Sequence, residues 1–453
     1  MRSHVAGYGM VWLLAAVAVV LYVPSLATAQ GQAGVAVDAQ GVLRTKIFAD
    51  PGGMLTRQRI AAAKAALSPE VVAYSPIRKF SLNRLERIIA QRKGVPTDEM
   101  RYLAGLQRVK YVFFLPDSKD LVIAGPAEGW VTLPSGRVVG IKTGRPVVQL
   151  QDLVVALRAY PPNESGTGLI GCSIDPTAEG LAAMQRFLRT LRPQPTNAFA
   201  QYTASGLRTS LGLQNVTING VSPKTHFAQV LVEADYRMKL IGIGLEQPPI
   251  RLVSYVERAN PSQVARNAMQ RWYFMPDYQC VRVAEDGLAM ELVGDGVKLV
   301  GEDEMVTADG RRHAASQSNK ASQAFVTNFT QKYPQLAQHS PVFAELRNLI
   351  DVAVAAAFIQ QEDYYEMAGW KMELFGDEGK FSVETFNVPK TVETAVNAIW
   401  RGNRLMTPVG GGVSIHADQA LLGDNLLSDE NGKVAKTRQQ VELDLAEGQW
   451  WWD

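Results

Sequence analysis

Apolar residues recur along the chain with two spacings, and each spacing predicts a type of element. Residues 81–92 place Leu82, Leu85, Ile88 and Ile89 on one helical face, with Ser81 as N-cap and Gly94 as the stop. Residues 56–67 repeat that logic behind Thr56 as N-cap and end at Ser68-Pro69. Further helices are expected over 151–160, from Asp175-Pro176-Thr177 to Leu191, over 321–333 and over 341–361. The last is apolar most of the way round, which predicts a helix buried on several sides. A period of two predicts strands: a pair around the turn at 38–41, and hairpins across 116–119 and across 134–136. Other strands are expected at 169–174 and 215–218, with the longest at 227–243. Residues 271–300 read as a meander turning at Asp286-Gly287 and Asp295-Gly296. Near the end, 381–388 and 413–416 read as strands and 391–399 as a short helix.

Helices and strands mix without regular βαβ alternation. The expected class is α+β, with mixed, mainly antiparallel sheets, packed helices and two or three domains. The Gly/Pro-rich stretch 161–168 and the polar run 302–320 suggest the partition. An N-terminal α+β domain would span 30–160 and a central sheet-rich domain 161–301. A linker or long loop would span 302–320, and a helix-rich C-terminal domain 321–453.

Residues 1–29 have the three-part layout of a secretory signal peptide. Arg2 opens it, 11–23 is an apolar run, and Ala27-Thr28-Ala29 forms a cleavage site. The run is too short to span a bilayer, which takes about 20 residues. The expectation is export to the periplasm or beyond, with no transmembrane segment left after signal removal. Charge sharpens the picture further: 46 basic against 44 acidic residues give a formal +2. That balance argues against nucleic acid as a partner.

Most motifs that would name a chemistry are absent from the sequence. H-E-x-x-H, a complete P-loop and G-x-S-x-G do not occur. No cofactor is expected. Beyond the signal segment only His226, His313, His339 and His416 occur, none at helix-ligand spacing from another, so no metal site is expected. Cys172 and Cys280 could close one disulfide across a long loop, or be two separate buried thiols. A Cys172–His226 dyad would need the fold to join them. The most ordered polar feature is Glu233, Asp235, Arg237 and Lys239. On a strand these four share one face, which reads either as a solvated ion-pair face or as the charged floor of a binding groove. Trp272-Tyr273-Phe274 reads as core, and Trp450-Trp451-Trp452 as a tail that packs on its own domain or on a partner.

Several strings carry a resemblance. They are residues 222–230 (SPKTHFAQV), 234–239 (ADYRMK), 270–274 (QRWYF), 291–297 (ELVGDGV) and 346–349 (LRNL). Together they resemble a bacterial family of exported proteins catalogued only as a domain of unknown function, over nearly the whole mature chain. The resemblance implies export and brings no activity, cofactor or catalytic residue. The functional expectation is an exported soluble protein with a non-catalytic binding or assembly role in the bacterial envelope, its partner an envelope protein or polymer. The alternative is an enzyme of unrecognised type, a hydrolase of envelope or extracellular polymer. One deep pocket gathering His, Asp, Ser or Cys would favour the enzyme, and a broad charged sheet face would favour binding.

Overall fold

The computed structural model describes residues 32–192, 196–259, 268–306, 312–314, 319–397, 400–401, 404–405, 409–443, 445–446 and 448–453. The expected signal segment 1–29 lies outside them. The fold is α+β, as the mixed periodicities imply. Its larger sheet has nine strands. From edge to edge they are β1 (Gln32–Val37), β2 (Val42–Phe48), β15 (Thr391–Glu393), β9 (Leu213–Asn219), β8 (Ile170–Asp175), β18 (Val409–Ile415), β10 (Ala268–Pro276), β13 (Val297–Val306) and β14 (Arg312–Ala314). Its pairings are antiparallel except β2 with β15 and β10 with β18. The second sheet has six strands, all antiparallel, in the order β11 (Val281–Val283), β12 (Ala289–Leu292), β4 (Tyr111–Leu115), β5 (Asp120–Ala127), β3 (Ser75–Ser81) and β19 (Trp451–Trp452). Two small hairpins complete the strands: β6 (Trp130–Thr132) with β7 (Val138–Gly140), and β16 (Trp400–Arg401) with β17 (Arg404–Leu405).

The segments 30–160, 161–301 and 321–453 each give strands to both sheets, so they interleave in the fold. Part of the expected linker 302–320 is itself strand, since β13 runs on to Val306 and β14 follows.

The helices are α1 (Met54–Ala66), α2 (Pro69–Val72), α3 (Leu82–Gln91), α4 (Asp98–Arg101), α5 (Leu150–Ala159), α6 (Ala178–Thr190), α7 (Asn197–Leu211), α8 (His226–Gly242), α9 (Tyr255–Arg258), α10 (Lys320–His339), α11 (Pro341–Gln361), α12 (Tyr364–Ala368) and α13 (Lys433–Gln439). The broad apolar surface of α11 is buried along nearly its whole length, against α5, α8 and α10. Among the described residues no helix is long and apolar enough to cross a membrane.

Several expected elements differ, each for a local reason. The largest correction is 227–243, which is the helix α8 and not a strand. Thr225 caps it, its hydroxyl accepting from the Ala228 N–H at 3.2 Å. The 271–300 meander is split. β11 and β12 do form the hairpin across Asp286-Gly287, but they sit in the smaller sheet. Asp295-Gly296 instead carries the chain into the larger sheet, where β13 pairs with β10. Residues 381–388 are irregular, and 391–393 form β15, which fills the gap between β2 and β9. In α1 the cap is not Thr56. The Asp50 carboxylate accepts from the Leu55 and Thr56 N–H groups, and the helix starts at Met54. α10 runs through Pro334 rather than ending before it.

The aromatic clusters resolve clearly. Trp272 and Phe274 are fully buried, and Gly242 lets α8 approach them. A Cβ on Gly242 would lie 2.0 Å from the Trp272 ring. The Trp450–Trp452 tail packs on its own chain, with β19 pairing to β3. Arg78, fully buried, reaches the Asp453 carboxylate at 2.7 Å and stacks under Trp451 at 4.5 Å from the ring centre.

Candidate ligand groove at the start of α8

The four charged residues singled out in the sequence lie on a helix, and this changes their meaning. At about 100° per residue, Glu233 and Asp235 point about 200° apart around α8. The spacing Glu233–Arg237 and Asp235–Lys239 is i,i+4, so each acid meets a base on its own side. On one side, Lys239 Nζ reaches Asp235 at 2.7 Å and donates to the Ile174 and Gly411 carbonyls at 3.2 and 3.1 Å. Those carbonyls belong to β8 and β18, so this pair fastens α8 to the large sheet. On the other side, Arg237 holds Glu246 through two nitrogens at 2.6 and 3.0 Å. All four residues are buried. They form no strand face, solvated or otherwise, and one of them, Glu233, lines a cavity described below. Burial lifts the Asp235 carboxyl to about 6, against the pull of Lys239.

Cys172 sits beside that pair, and burial pushes its thiol well up. Cys280 is also buried, and its thiol is pushed to about 12, again first by burial. Both are free thiols. Cys172 does not meet His226. Its neighbours Asp235 and Lys239 lie nine or more residues along the helix, about 13 Å by the helical rise.

The open polar space lies at the other end of α8. His226, the first residue of the helix, has Nδ1 2.9 Å from Asp152 Oδ2 and 3.1 Å from Oδ1. A carboxylate only accepts, so Nδ1 carries the proton toward Asp152 and Nε2 is the ring's acceptor. Asp152 lies in the first turn of α5, where the helix dipole favours a negative charge. Arg137, in the β6–β7 turn, bridges two helices. It meets Glu233 of α8 at 2.5 Å, and also Glu345 of α11. These contacts fix the back wall.

In front of it run two cavities of about 370 and 320 Å³ that share Tyr102, Gln149, Gln151 and Glu384 and so form one elongated groove. The first is closed by residues 94–96 and 381–384. The second is closed by Phe48, Phe386 and the turn 135–138, with His226 and Gln229 of α8. The irregular segment 381–388 is therefore groove wall, not strand. Behind the groove, Asp152, His226, Glu345 and Asn348 line a pocket of about 10 Å³, room for a single water. Asn348 is buried there, and neither its amide nitrogen nor its oxygen meets a protein partner.

Chemically, a histidine held by a carboxylate is a positioned proton acceptor. With Nδ1 bonded to Asp152, Nε2 is the ring nitrogen that would serve a nucleophile or a water, and Ser135 lines the same cavity. No group of three or more His, Cys, Asp or Glu among the described residues could hold a metal ion. In the sequence His226 stood out as a lone histidine or as a partner for Cys172, and Asp152, Arg137, Tyr102, Gln149 and Gln151 did not stand out at all. Asp152 and His226 are 74 residues apart, so no spacing could have joined them.

Comparison with curated proteins and with solved structures finds no match. A family match covers β8, α6, α7, β9 and α8, including the strings at 222–230 and 234–239 and leaving the other three outside. It is narrower than the near-complete coverage the strings suggested. Residues 172–255 match the family described as a protein of unknown function, DUF1598.

Proposed function

We propose that this chain is an exported, non-catalytic binding protein of the bacterial envelope that takes its ligand in the groove at the start of α8. The observation that carries the reading is the groove itself. It is elongated, half polar and half apolar in its walls, and its back wall is fixed by ion pairs. Export rests on the signal-like layout of residues 1–29. The His226–Asp152 pair favours a second reading, a hydrolase whose base is His226 acting on a water.

A thermal-shift screen of the full chain against envelope and extracellular polymer fragments tests the first reading. A ligand should raise the melting temperature of the wild type and not of Tyr102→Ala/Gln151→Ala. Ligands that stabilise both proteins equally, or no ligand at all, would overturn the groove as the site. Turnover of a bound ligand that His226→Ala abolishes would move the assignment to the hydrolase.

A further inference from the structure

Resting on that reading, we infer that the groove takes a neutral, polyhydroxylated ligand: an uncharged oligosaccharide of a few rings. Three features of the wall lead there. The first is charge. The charged side chains lining the two large cavities are Arg101, Arg137, Glu233 and Glu384, two of each sign. Arg137 and Glu233 neutralise each other, and the His226 Nδ1–H is directed at Asp152. Little net field remains for an anion or a cation.

The second is the kind of hydrogen-bonding capacity left over. Gln149 Oε1 accepts from Gln151 Nε2 at 2.7 Å, and Gln229 Nε2 donates to the Asn387 carbonyl at 2.9 Å. Each bond uses one end of an amide and leaves the other. Gln151 Oε1 is buried without a protein partner. Amides and the Tyr102 hydroxyl both donate and accept, as sugar hydroxyls do. The edge strand β1 lines the second cavity through Gly34 and Val35, so a peptide is the competing occupant set against the sugars in the test below.

The third is apolar shape. Phe48, Tyr102 and Phe386 stand half-buried along the walls, flat faces that suit the C–H face of a pyranose ring. The length follows from the join, since two cavities that share four lining residues hold an extended chain better than one ring.

Calorimetric titration of the full chain tests this. The probes are maltohexaose, cellohexaose and chitohexaose, set against hexagalacturonate, a chitosan hexamer and a hexapeptide of alternating Ser and Ala. The expected result is saturable binding of at least one neutral sugar, with an affinity unchanged between low and high salt. Tyr102→Ala and Gln151→Ala should each weaken it roughly tenfold while leaving the fold intact by circular dichroism. Tighter binding of a charged oligomer or of the peptide, lost in the same variants, would overturn the neutral-sugar assignment and leave the groove reading standing. Sugar binding that neither variant affects would overturn both.

Discussion

The two ends of α8 are built from the same kinds of residue and do opposite things. Toward its C-terminus, Asp235, Lys239 and Arg237 are buried and paired one turn away or with Glu246, while Glu233, at mid-helix, is held by Arg137 and Arg237 in the back wall of the groove. At its N-terminus, His226 and Gln229 stand beside amides and aromatic faces with capacity to spare. What separates a scaffold from a site here is not how many charges a stretch carries. It is whether the unused capacity opens onto a cavity: Asp235 Oδ1 is also without a hydrogen-bond partner but is buried under the large sheet, whereas Gln151 lines the groove. A buried pair adds little net stability over an apolar one but is costly to break, because the survivor is left charged in a dry place. An open amide costs little when it faces solvent, and gains when a ligand completes it.

The sharpest way to break this comparison is to remove one partner of the buried pair. Lys239→Ala should cost about 3–5 kcal/mol, measured by urea unfolding, because Asp235 is left unpaired under the large sheet. Replacing both residues, Asp235→Leu with Lys239→Met, should recover most of that loss. A cost below about 0.5 kcal/mol for the single change would mean that the pair is in effect solvated. Next in size, Leu349→Ala on α11 should cost about 2–5 kcal/mol, since that helix packs α8 from the other side.

A pH series sharpens the C-terminal half alone. The folded Asp235 carboxyl titrates at about 6 against an ordinary value of 3.8, raised by burial. The folded state thus holds this proton more tightly than the unfolded chain. Its contribution to stability is full below about 4 and is lost as pH rises through about 6. Relative to Asp235→Asn, the wild type should lose roughly 3 kcal/mol across that window. A flat difference would show that Asp235 is ionised throughout. The smallest stability effects are expected at the other end, where Tyr102→Ala and Gln151→Ala should each shift unfolding by no more than about 1 kcal/mol. Their effect belongs to binding.

Much of the local structure was legible. Ser81 capping α3, the hairpins β4–β5 and β6–β7, and α11 from Pro341 to Gln361 all follow from side-chain period and turn chemistry. α8 was not, because residues 232–240 alternate apolar and charged without a break, the pattern of a half-wet strand. The same letters satisfy i,i+4 pairing on a helix buried all round, and burial of both sides decided it. Two signals pointed the right way: Thr225 as a cap, and a run of 17 residues, long for a strand. The groove was illegible for another reason. Its wall comes from Phe48, Tyr102, Gln151, His226 and Phe386, far apart in the chain and brought together only by two sheets that each draw strands from all three segments.

The most direct test of the account compares three proteins in one titration with the neutral hexasaccharide that binds the wild type. They are the wild type, Tyr102→Ala/Gln151→Ala and Asp235→Leu/Lys239→Met. The groove variant should lose affinity by at least about tenfold with its unfolding free energy nearly unchanged, and the ion-pair variant should bind as the wild type does. Undiminished binding in the groove variant, or its loss in a folded ion-pair variant, would contradict the division of α8 into a scaffold end and a binding end.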